Sequence, residues 1–400
     1  MRSITEVRTR LLSSTGVETL DEHVALHGRP PAPNGDQLIG LLRDAGLTGR
    51  GGAAFPTWRK LAAVADSGRA AVVIANGAEG EPASGKDRAL LAHRPHLVLD
   101  GLQLVARAAG ARRAYVYLPE TANAALAVVL AERRRAGLDP IPLEIRITPD
   151  TFVAGEESAA VAAVAGRPAV PADKRIRTTE SGALVQNVET LALIALIARH
   201  GPAWFRSAGT ADEPGTFLST VGGAVAAPGV VEVGYGIRLG DLIDAAGGAT
   251  APLQAVLVGG YHGGWVPPHP DLPVSRAGLA AYGAAPGAGV VIALPMGACG
   301  LAETARIAAY LAGQVAGQCG PCINGLPRLA DTMAALAQRR AHPGLPAEVA
   351  RLAALVTGRG ACRHPDGTAR LIRSALRAFD ADTAAHLAGR CLAEEVRRAH

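Results

Sequence analysis

A chain of 400 residues is too long for one hydrophobic core, so we expect two or three domains, and its 49% of hydrophobic residues supplies ample material to bury. Lysine and arginine number 40 against 35 acidic residues, for a net charge of +5, but no basic stripe with interleaved aromatic residues occurs, so we expect no nucleic-acid partner. Charges throughout the first residues, and the lack of any apolar run of about 18 residues, argue against a signal peptide and a membrane span. We therefore expect a cytoplasmic protein that meets a membrane only through partners.

The chain begins with a segment, residues 1–34, that ends in the proline-rich sequence RPPAPNG. We interpret it as an arm or linker with some helix. Residues 36–45 are predicted to form a short helix that leads into the sequence GLTGRGGAAFPTWRK.

This sequence predicts a phosphate-binding loop. Its glycines within seven positions are Gly46, Gly49, Gly51 and Gly52. Glycine allows backbone N–H groups to approach a ligand closely, and a loop of such groups before a helix N-terminus binds anions such as the phosphate of a flavin or nucleotide. Arg50 adds a fixed cation and Lys60 follows in the next segment. The alternative interpretation is a flexible glycine turn that binds nothing.

Three short apolar runs, Ala71–Ala75, Ala114–Leu118 and Leu143–Thr148, are typical of buried parallel strands. Helical patterns over 86–109 and 121–135 separate them. Alternation of strands with helices predicts a doubly wound parallel sheet.

Polar residues follow the strands where ligands bind in such sheets. The first strand runs into NGAEGEP, residues 76–82, and the third leads to Glu156 and Glu157 at a helix start. Gln186 and Asn187 open a further helix. We expect these groups to face one crevice, with the carboxylates binding ribose hydroxyls or amides, although an ordinary acidic turn and a first-turn charge preference explain them as well.

From Gly215 onward, short strands and one helix alternate with glycine and proline, which predicts a small α+β module over residues 215–275. His262, in GGYHGGW, is interpreted as part of a glycine-rich turn rather than as a ligand. A strand at 289–294 precedes amphipathic helices, and residues 285–390 are predicted to form a helical region.

The cysteines indicate a metal or cluster site. An odd number of five, without a signal peptide, favours a reducing compartment, and Cys319 and Cys322 form a CxxC pair that Cys362 can complete. A zinc site needs a fourth ligand, and inert buried cysteines remain an alternative. Cys299 is expected to lie far from this group, and Cys391 has no predicted place.

Together these motifs resemble the flavin-binding, NADH-oxidising subunit of respiratory complex I, known as the F type, with relatives in NAD-linked hydrogenases and formate dehydrogenases. The resemblance covers roughly residues 35–385 and keeps the family's order of GRGGAAFPTWRK, NGAEGEP with KDR, GEES, QNVET, a β-grasp-like module and the CxxC region. It implies an α/β parallel-sheet domain for FMN and NADH at 35–205, a β-grasp-like (SLBB) module at 215–275 and a C-terminal helical iron–sulfur domain at 285–390.

The resemblance also implies the site residues. Positions that match the family's FMN contacts are Gly49, Arg50, Gly51, Gly52, Lys60, Asn76, Gly155, Glu156, Asn187 and Thr190. Positions that match its nicotinamide nucleotide pocket are Phe55, Glu81, Glu157 and Lys174. No catalytic acid or base is expected, because the flavin carries the hydride. Cys319, Cys322 and Cys362 match cluster ligands.

Four positions depart from the family pattern. Ala78 stands where an aspartate is usual, Arg177 where an aromatic residue is expected, and Gln186 in place of an asparagine. Ala316 replaces the first of four cluster cysteines, so a 4Fe–4S cluster with an outside ligand, a 3Fe–4S cluster and no cluster all stay open. His364 and Asp366 are candidate substitutes.

The resemblance thus implies an NADH dehydrogenase subunit that transfers a hydride from NADH to FMN. It then passes single electrons to an iron–sulfur cluster and on to a ferredoxin or a quinone-linked partner protein. Two alternatives are a degenerate docking or scaffold subunit without NADH oxidation, and a flavoprotein like the C subunit of Rnf complexes, whose signature NGAEGEP resembles.

Overall fold

The structure is a computed structural model that describes residues 9–12, 16–340 and 342–399. The chain divides into two compact units. The first contains residues up to Leu218 together with Glu232–Gly236, and the second contains Ser219–Val231 and the chain from Ile237 onward.

The first unit is built on a four-stranded sheet. Its strands β1–β4 are Val72–Asn76, Ala114–Leu118, Leu143–Ile147 and Ala183–Asn187. Its helices α1–α8 are Leu20–His27, Gly35–Ala45, Thr57–Ala65, Lys86–His93, Pro95–Ala108, Glu120–Arg135, Glu157–Val164 and Val188–Arg206.

The sheet has the strand order β3-β2-β1-β4, and every neighbouring pair is parallel. Helix α7 packs on one face and helices α5 and α8 pack on the other, which confirms the predicted parallel α/β fold. Strand β4 was not predicted, because only three apolar residues precede its polar end at Gln186 and Asn187. Its place beside β1 puts Asn187 directly opposite Asn76.

Helices α5 and α8 approach each other very closely. A Cβ atom built on Gly101 of α5 would overlap the carbonyl oxygen of Leu191 of α8. Both helices are almost completely buried along this contact. Gly101 therefore allows a backbone-to-backbone contact that no larger residue permits.

The single helix predicted over 86–109 is in fact two. Helix α4 ends at His93, and α5 begins at Pro95 after Arg94 leaves helical geometry with φ −136°. Proline lacks an N–H and disfavours helical conformation in the preceding residue, so the chain turns here and continues as a second helix.

The described part of the N-terminal arm packs within the first unit. Glu232 Oε2 accepts the backbone N–H groups of Arg10 and Leu11 at 2.7 and 2.8 Å, and Leu11 is fully buried. Thr216 Oγ1 donates to the other carboxylate oxygen at 2.7 Å. The segment Glu232–Gly236 thus fastens the arm, of which residues 1–8 and 13–15 lie outside the described residues.

A buried ionic network joins α1, α5, α6 and α8. His23 contacts Glu18 at 3.1 Å and Asp100 at 2.9 Å through its two ring nitrogens. Asp100 also pairs with Arg133 at 2.9 Å and with Arg199. Because each charged group has a partner of opposite charge, the network connects these helices and is not a vacant binding site.

The second unit contains a five-stranded sheet, and its first two strands run across the boundary between the units. Strands β5–β9 are Thr216–Gly223, Gly229–Gly234, Leu253–Val258, Gly264–Val266 and Val290–Pro295. The order is β6-β5-β9-β7-β8, with β9 parallel to β5 and antiparallel to β7. The helices here are α9, Leu239–Asp244, and α10, Arg276–Leu279.

The sequence-based boundary at residue 285 needs a correction. It assigned the strand at 289–294 to the helical region, but β9 hydrogen-bonds to β5 and β7 in the middle of the second sheet. The boundary was misplaced because β9 follows β7 only after a long connection that contains β8 and α10.

The rest of the second unit is helical, as predicted. Helices α11–α16 are Gly300–Gly313, Leu326–Ala337, Leu345–Val356, His364–Ala378, Asp380–Leu387 and Leu392–Ala399. A single π-helical turn, Pro321–Gly325, leads into α12. Among the described residues, no helix combines the length and the apolar character needed to cross a membrane.

Candidate functional site

The predicted polar groups meet at the carboxyl ends of β1 and β4. Asn76 donates from Nδ2 to the carbonyl oxygen of Gly155 at 2.9 Å, and Asn187 donates from Nδ2 to the carbonyl oxygen of Asn76 at 3.3 Å. A Cβ atom on Gly155 would lie 2.8 Å from the carbonyl oxygen of Ala78, so only glycine fits. Segments far apart in sequence are thus joined at one sheet edge.

The glycine loop closes on itself beside these strand ends. Gly49 donates its N–H to the carbonyl oxygen of Phe55 at 2.9 Å, and an isolated bridge pairs Thr48 with Pro56. Gly52 has φ +103° and Ala54 φ +46°, both in the left-handed region. The tip of the loop, residues 51–53, is exposed, so its backbone is open to a ligand.

The loop lies next to strand β4. A Cβ atom on Gly51 would lie 3.5 Å from Cβ of Asn187, and the backbone N–H of Arg50 donates to Thr190 Oγ1 at 2.9 Å. Thr190 lies in the first turn of α8, immediately after β4. The loop is therefore fixed to the same sheet edge as Asn76 and Gly155.

Lys60 and Glu157 form an ion pair at this edge. Lys60 Nζ lies 2.7 Å from Glu157 Oε2, and Thr178 Oγ1 donates to Glu157 Oε1 at 2.7 Å. The lysine side chain is 20% exposed and the glutamate side chain 31%. A partly open cation and anion side by side can exchange partners with a charged ligand.

The carboxylate of Glu156 serves the start of α7. Its Oε2 accepts the N–H groups of Ser158 at 2.9 Å and of Ala159 at 3.2 Å, as well as the Ser158 hydroxyl. This is the ordinary capping of a helix N-terminus. Glu79 does the same for α4, since its Oε1 accepts the N–H of Asp87 at 2.9 Å.

The side chain of Arg50 is turned into the protein. Its guanidinium donates to the carbonyl oxygen of Thr216 at 3.1 Å and to Thr48 Oγ1 at 3.1 Å, and it lies 4.6 Å from the Tyr235 ring. Arg50 is only 4% exposed. In this conformation the guanidinium anchors the loop, and the exposed positions nearest a ligand are the glycines.

Asn187 is supported by a buried charged group in the KDR motif, to which the sequence analysis gave no role in the site. Lys86 Nζ lies 2.7 Å from Asp87 Oδ1, 2.9 Å from Glu189 Oε2 and 3.1 Å from Asn187 Oδ1. Burial alone would lower the pKa of Lys86, but the carboxylates of Asp87 and Glu189 outweigh it and raise the pKa. Asp87 Oδ2 accepts from Asn187 Nδ2 at 2.7 Å, so the amide orientation is fixed from both ends.

The other predicted nucleotide-binding residues lie around this edge in loops. The Phe55 side chain, at the end of the glycine loop, is 40% exposed. Glu81, in the turn after β1, and Lys174, between α7 and β4, are half-buried. Arg177, where an aromatic residue was expected, is exposed.

The residues at this edge fit FMN by their chemistry. Exposed glycine backbone and an adjacent lysine suit a phosphate, and side-chain amides beside parallel strand ends suit a heterocycle with donors and acceptors. Within the described part of the chain, only Asn187 Cβ lies within 4 Å of the position that a Cβ on Gly51 would take, so the loop leaves room on that side.

Cys319, Cys322 and Cys362 come together around the π-helical turn. Ala361, next to Cys362, donates its N–H to Cys319 Sγ at 3.4 Å. Burial, with the nearby charges of Cys362 and Cys319, raises the pKa of the Cys322 thiol to about 12. Three sulfurs in one place fit three corners of an iron–sulfur cluster, whose bound irons would favour the thiolates.

Of the two substitutes considered for the missing fourth cysteine, His364 is engaged elsewhere. Its Nε2 contacts the carbonyl oxygen of Leu311 at 2.8 Å, and its Nδ1 lies 3.2 Å from Nε2 of His262. His262 and His364 thus form a histidine pair. Asp366 lies close enough to Cys322 to influence its pKa, and its Oδ1 accepts the N–H of Gly358 at 2.6 Å.

Comparison with protein families gives two matches. The Nuo51 FMN-binding domain matches residues 42–196, and the NADH-ubiquinone oxidoreductase-F iron-sulfur binding region matches residues 302–386. Together they cover more than half of the chain. The chain belongs to the complex I flavoprotein family.

The first match includes the glycine loop, the strand ends and α7, and the second includes all three clustered cysteines. Membership of the complex I flavoprotein family confirms the predicted resemblance, the class of flavin-dependent NADH dehydrogenase subunits, and the FMN and iron–sulfur cofactors.

Relatives in the complex I flavoprotein family are distant but align over nearly the whole chain. The chain is 29% identical to the NADH-quinone oxidoreductase F 2 subunit of Rhizobium meliloti over 374 residues, 88% of this chain and 89% of that protein. It is also 29% identical to the F subunit of the Escherichia coli enzyme, over 89% of this chain and 84% of the relative.

Among solved structures, the chain is similar to a NAD+-reducing nickel–iron hydrogenase in its hydrogen-reduced state, with a TM-score of 0.83 and 31% identity. The match covers 91% of this chain and 64% of the hydrogenase chain. This chain therefore spans about two thirds of that structural relative.

Proposed function

We propose that this chain binds FMN at the carboxyl ends of β1 and β4, oxidises NADH there, and passes single electrons to an iron–sulfur cluster held by Cys319, Cys322 and Cys362. The observation that carries the proposal is the convergence of segments that bear the family's motifs. Asn76 bonds to Gly155, Asn187 bonds to Asn76, and Lys60 pairs with Glu157. The proposal rests on these contacts together with family membership.

FMN binding is assigned to residues in distinct roles. The backbone N–H groups of Gly51 and Gly52 and the ammonium of Lys60 bind the phosphate, because the loop tip is exposed and the lysine lies on the helix that follows it. Gly49, whose N–H is donated to Phe55, shapes the loop. Arg50 and Thr190 hold the loop in place. The remaining residues assigned to FMN orient the flavin ring; they are Asn76, Gly155, Glu156 and Asn187. The flavin, when bound, accepts a hydride and gives up electrons one at a time, which no side chain can do.

NADH binding is assigned to Phe55, Glu81, Glu157 and Lys174. The exposed Phe55 ring offers an apolar face to a planar heterocycle, and Lys174 supplies a cation for the pyrophosphate. Glu81 and Glu157 accept hydrogen bonds from ribose hydroxyls or the carboxamide. Their negative charges also disfavour an additional phosphate, so we expect NADH to be preferred over NADPH.

The electrons leave through the three-cysteine site and a partner protein that carries further iron–sulfur clusters. We assign that partner to the ferredoxins or to quinone-linked subunits, since relatives are named as quinone oxidoreductase subunits. Asp366 is the candidate for the fourth cluster ligand, because His364 has both ring nitrogens engaged. Any membrane association comes through partners.

A scaffold without NADH oxidation is the competing function. Ala316 removes one family cluster ligand, and Ala78 and Arg177 change two positions near the proposed flavin and nucleotide. A flavoprotein like the Rnf C subunit is a further alternative. Both would keep the fold and lose the reaction with NADH.

The test is an anaerobic absorbance spectrum of the purified protein before and after NADH, with iron measured on the same sample. Bleaching of the flavin band by NADH is the expected result. A bound flavin that NADH does not reduce but dithionite bleaches would instead support the scaffold function or a different electron donor. Failure to bind FMN even after reconstitution would overturn the glycine-loop assignment, and the iron content decides whether the three cysteines hold a cluster.

A further inference from the structure

Three side chains outside the sites already described converge in the second unit. Cys299 precedes helix α11, His386 lies in the last turn of α15, and Cys391 precedes α16. One donor atom from each, two Sγ atoms and an imidazole nitrogen, lie within 4.8 Å of one another. We propose that these three residues bind a zinc ion that is separate from the iron–sulfur site.

The separation of the donor atoms suits tetrahedral zinc. Cys299 Sγ lies 3.6 Å from His386 Nε2. With Zn–S near 2.3 Å and Zn–N near 2.0–2.1 Å, tetrahedral angles place a sulfur and a nitrogen ligand about 3.6 Å apart. Cys299 and His386 therefore stand at ligand spacing, and Cys391 Sγ lies within 4.8 Å of both donor atoms.

His386 is oriented as metal-binding histidines are. Its Nδ1 contacts the carbonyl oxygen of Leu336 in α12 at 3.0 Å. A carbonyl oxygen only accepts, so Nδ1 carries the proton and Nε2 presents its lone pair toward Cys299. A second hydrogen bond of this kind fixes the tautomer and ring plane of a histidine ligand.

The surroundings favour bound thiolates. Cys391 and His386 are buried, and the backbone N–H groups of Leu301 and Ala302 donate toward the Cys299 sulfur. A divalent cation would neutralise two thiolates and satisfy the imidazole lone pair in one step.

A buried carboxylate lies on the same helix as His386. Asp382 lies one helical turn before His386 in α15 and is buried, and its charge interacts with that histidine. Its Oδ1 has no hydrogen-bond partner among the described residues, whereas Oδ2 accepts from Gln254 at 3.0 Å. Asp382 is not among the residues whose ligand atoms lie within 4.8 Å of one another, so a water molecule is the expected fourth ligand.

The consequence is structural. The ligands come from the start of α11, the end of α15 and the residue before α16, and the hydrogen bond from His386 Nδ1 reaches α12. One ion would fasten four helices of the second unit. This inference does not depend on flavin binding or on NADH oxidation.

The experiment is metal analysis of the full-length protein and three variants, with zinc and iron measured on each sample. Zinc near one per chain is expected in the wild type, and X-ray absorption at the zinc edge should fit two sulfur ligands near 2.3 Å. Cys299→Ser and Cys391→Ser should lower zinc at least tenfold and leave iron and flavin unchanged. The matched control Cys322→Ser should lower iron and leave zinc unchanged.

Three outcomes would overturn the site. They are a protein free of zinc even after incubation with zinc chloride, zinc content unaffected by both serine variants, and a peptide map in which a disulfide joins Cys299 to Cys391. If the variants fail to fold, the wild type itself supplies the test. A strong chelator should lower its melting temperature, and zinc but not magnesium should restore it. A melting temperature insensitive to zinc removal would leave only a buried cysteine–histidine contact.

Discussion

At the scale of single residues, the pair of Lys60 and Glu157 is the point at which the two proposed ligands meet. Lysine is assigned to the flavin and glutamate to the nucleotide, yet their side chains lie 2.7 Å apart. Because both are partly exposed, the pair itself contributes little to stability. The pair instead presents one positive and one negative side chain to which the two proposed ligands can bind.

Replacement of Lys60 by alanine should release FMN. The Lys60 ammonium is the cation assigned to the phosphate, and its loss leaves the phosphate with backbone donors alone. We expect at least a tenfold weaker flavin affinity, about 1.4 kcal/mol or more, measured by fluorescence titration of the apoprotein. The control is Arg59→Ala, which removes an exposed neighbouring cation on the same helix. Full flavin occupancy in Lys60→Ala would contradict the phosphate assignment.

Replacement of Glu157 by glutamine should weaken NADH binding and leave the flavin in place. Glutamine keeps the shape and the hydrogen bond from Thr178 but removes the charge. The apparent Kd for NADH, from anaerobic titration, is expected to rise about tenfold. Loss of flavin from this variant would mean that Glu157 serves the flavin, and an unchanged Kd would remove it from the nucleotide pocket.

Lys86→Met tests the buried charges beneath Asn187. Removal of the ammonium leaves the carboxylates of Asp87 and Glu189 facing each other without their common cation. Loss of one partner of a buried ion pair costs about 3–5 kcal/mol, which urea unfolding should resolve. Arg88→Met is the matched control, since that neighbour is exposed, and it should change stability by less than about 0.5 kcal/mol. Equal stabilities of the two variants would refute the network.

The sequence predicted which residues lie together at the sheet edge better than it predicted the contacts that their side chains make. The glycines, Asn76, Gly155, Lys60 and Glu157 do lie at one sheet edge. The inward direction of the Arg50 guanidinium and the dependence of Asn187 on Lys86 could not be predicted, because both arise from contacts across more than 100 residues of sequence.

At the scale of elements, local sequence patterns were sufficient to predict most strands and helices. The apolar runs of β1 and β2 are buried and parallel as predicted. Strand β4 was missed because it is short and half polar, and β9 was assigned to the wrong region because strand pairing is non-local. The proline that divides α4 from α5 was visible in the sequence, and the helical periodicity on both sides concealed the break.

The crossing of α5 and α8 gives a prediction about Gly101. In Gly101→Ala the new methyl group would overlap the Leu191 carbonyl, so the helices must separate and lose their close packing. We expect a loss of about 1–3 kcal/mol or more in the free energy of unfolding. The control Gly40→Ala lies in helix α2 with open space around it, and should stabilise the protein by about 0.5–1 kcal/mol. Similar effects of the two substitutions would mean that the helices are not in backbone contact.

At the scale of the whole molecule, three histidines of the first unit contribute to the dependence of stability on pH. Burial lowers the pKa of His27 and of His96 from 6.5 to about 4. Between these values the unfolded chain binds protons that the folded chain does not, so stability is lost as pH falls from about 6.5 to about 4. Each group contributes up to about 1.4 kcal/mol per pH unit in that window.

His23 has the opposite effect on the pH dependence of stability. Burial disfavours its charged form, but hydrogen bonds to Asp100 and Glu18 outweigh burial and raise its pKa above 6.5. Its contribution is therefore complete below pH 6.5 and is lost as pH rises through the folded-state pKa. With all three histidines, the maximum of stability is expected near pH 6.5.

His96→Leu separates these contributions. The Nδ1 atom of His96 is buried without a hydrogen-bond partner among the described residues, so leucine forfeits no bond there. In urea unfolding from pH 4 to pH 8, the acid side of the profile should become shallower by up to about 1.4 kcal/mol per unit, and the side above pH 6.5 should keep its shape. An unchanged acid slope would show that His96 titrates normally in the folded protein.

The segment Glu232–Gly236 has a consequence for the synthesis of the protein. Translation delivers the chain from its N-terminus, but the first unit includes Glu232, which binds the arm at Arg10 and Leu11, and Tyr235, over which the Arg50 guanidinium stacks. The unit cannot be completed on the ribosome until residue 236 has emerged, by which time the first strand of the second unit is already present. A nascent chain stalled before that point would carry the whole glycine loop but lack Tyr235 and Glu232, and flavin uptake is accordingly expected late in synthesis.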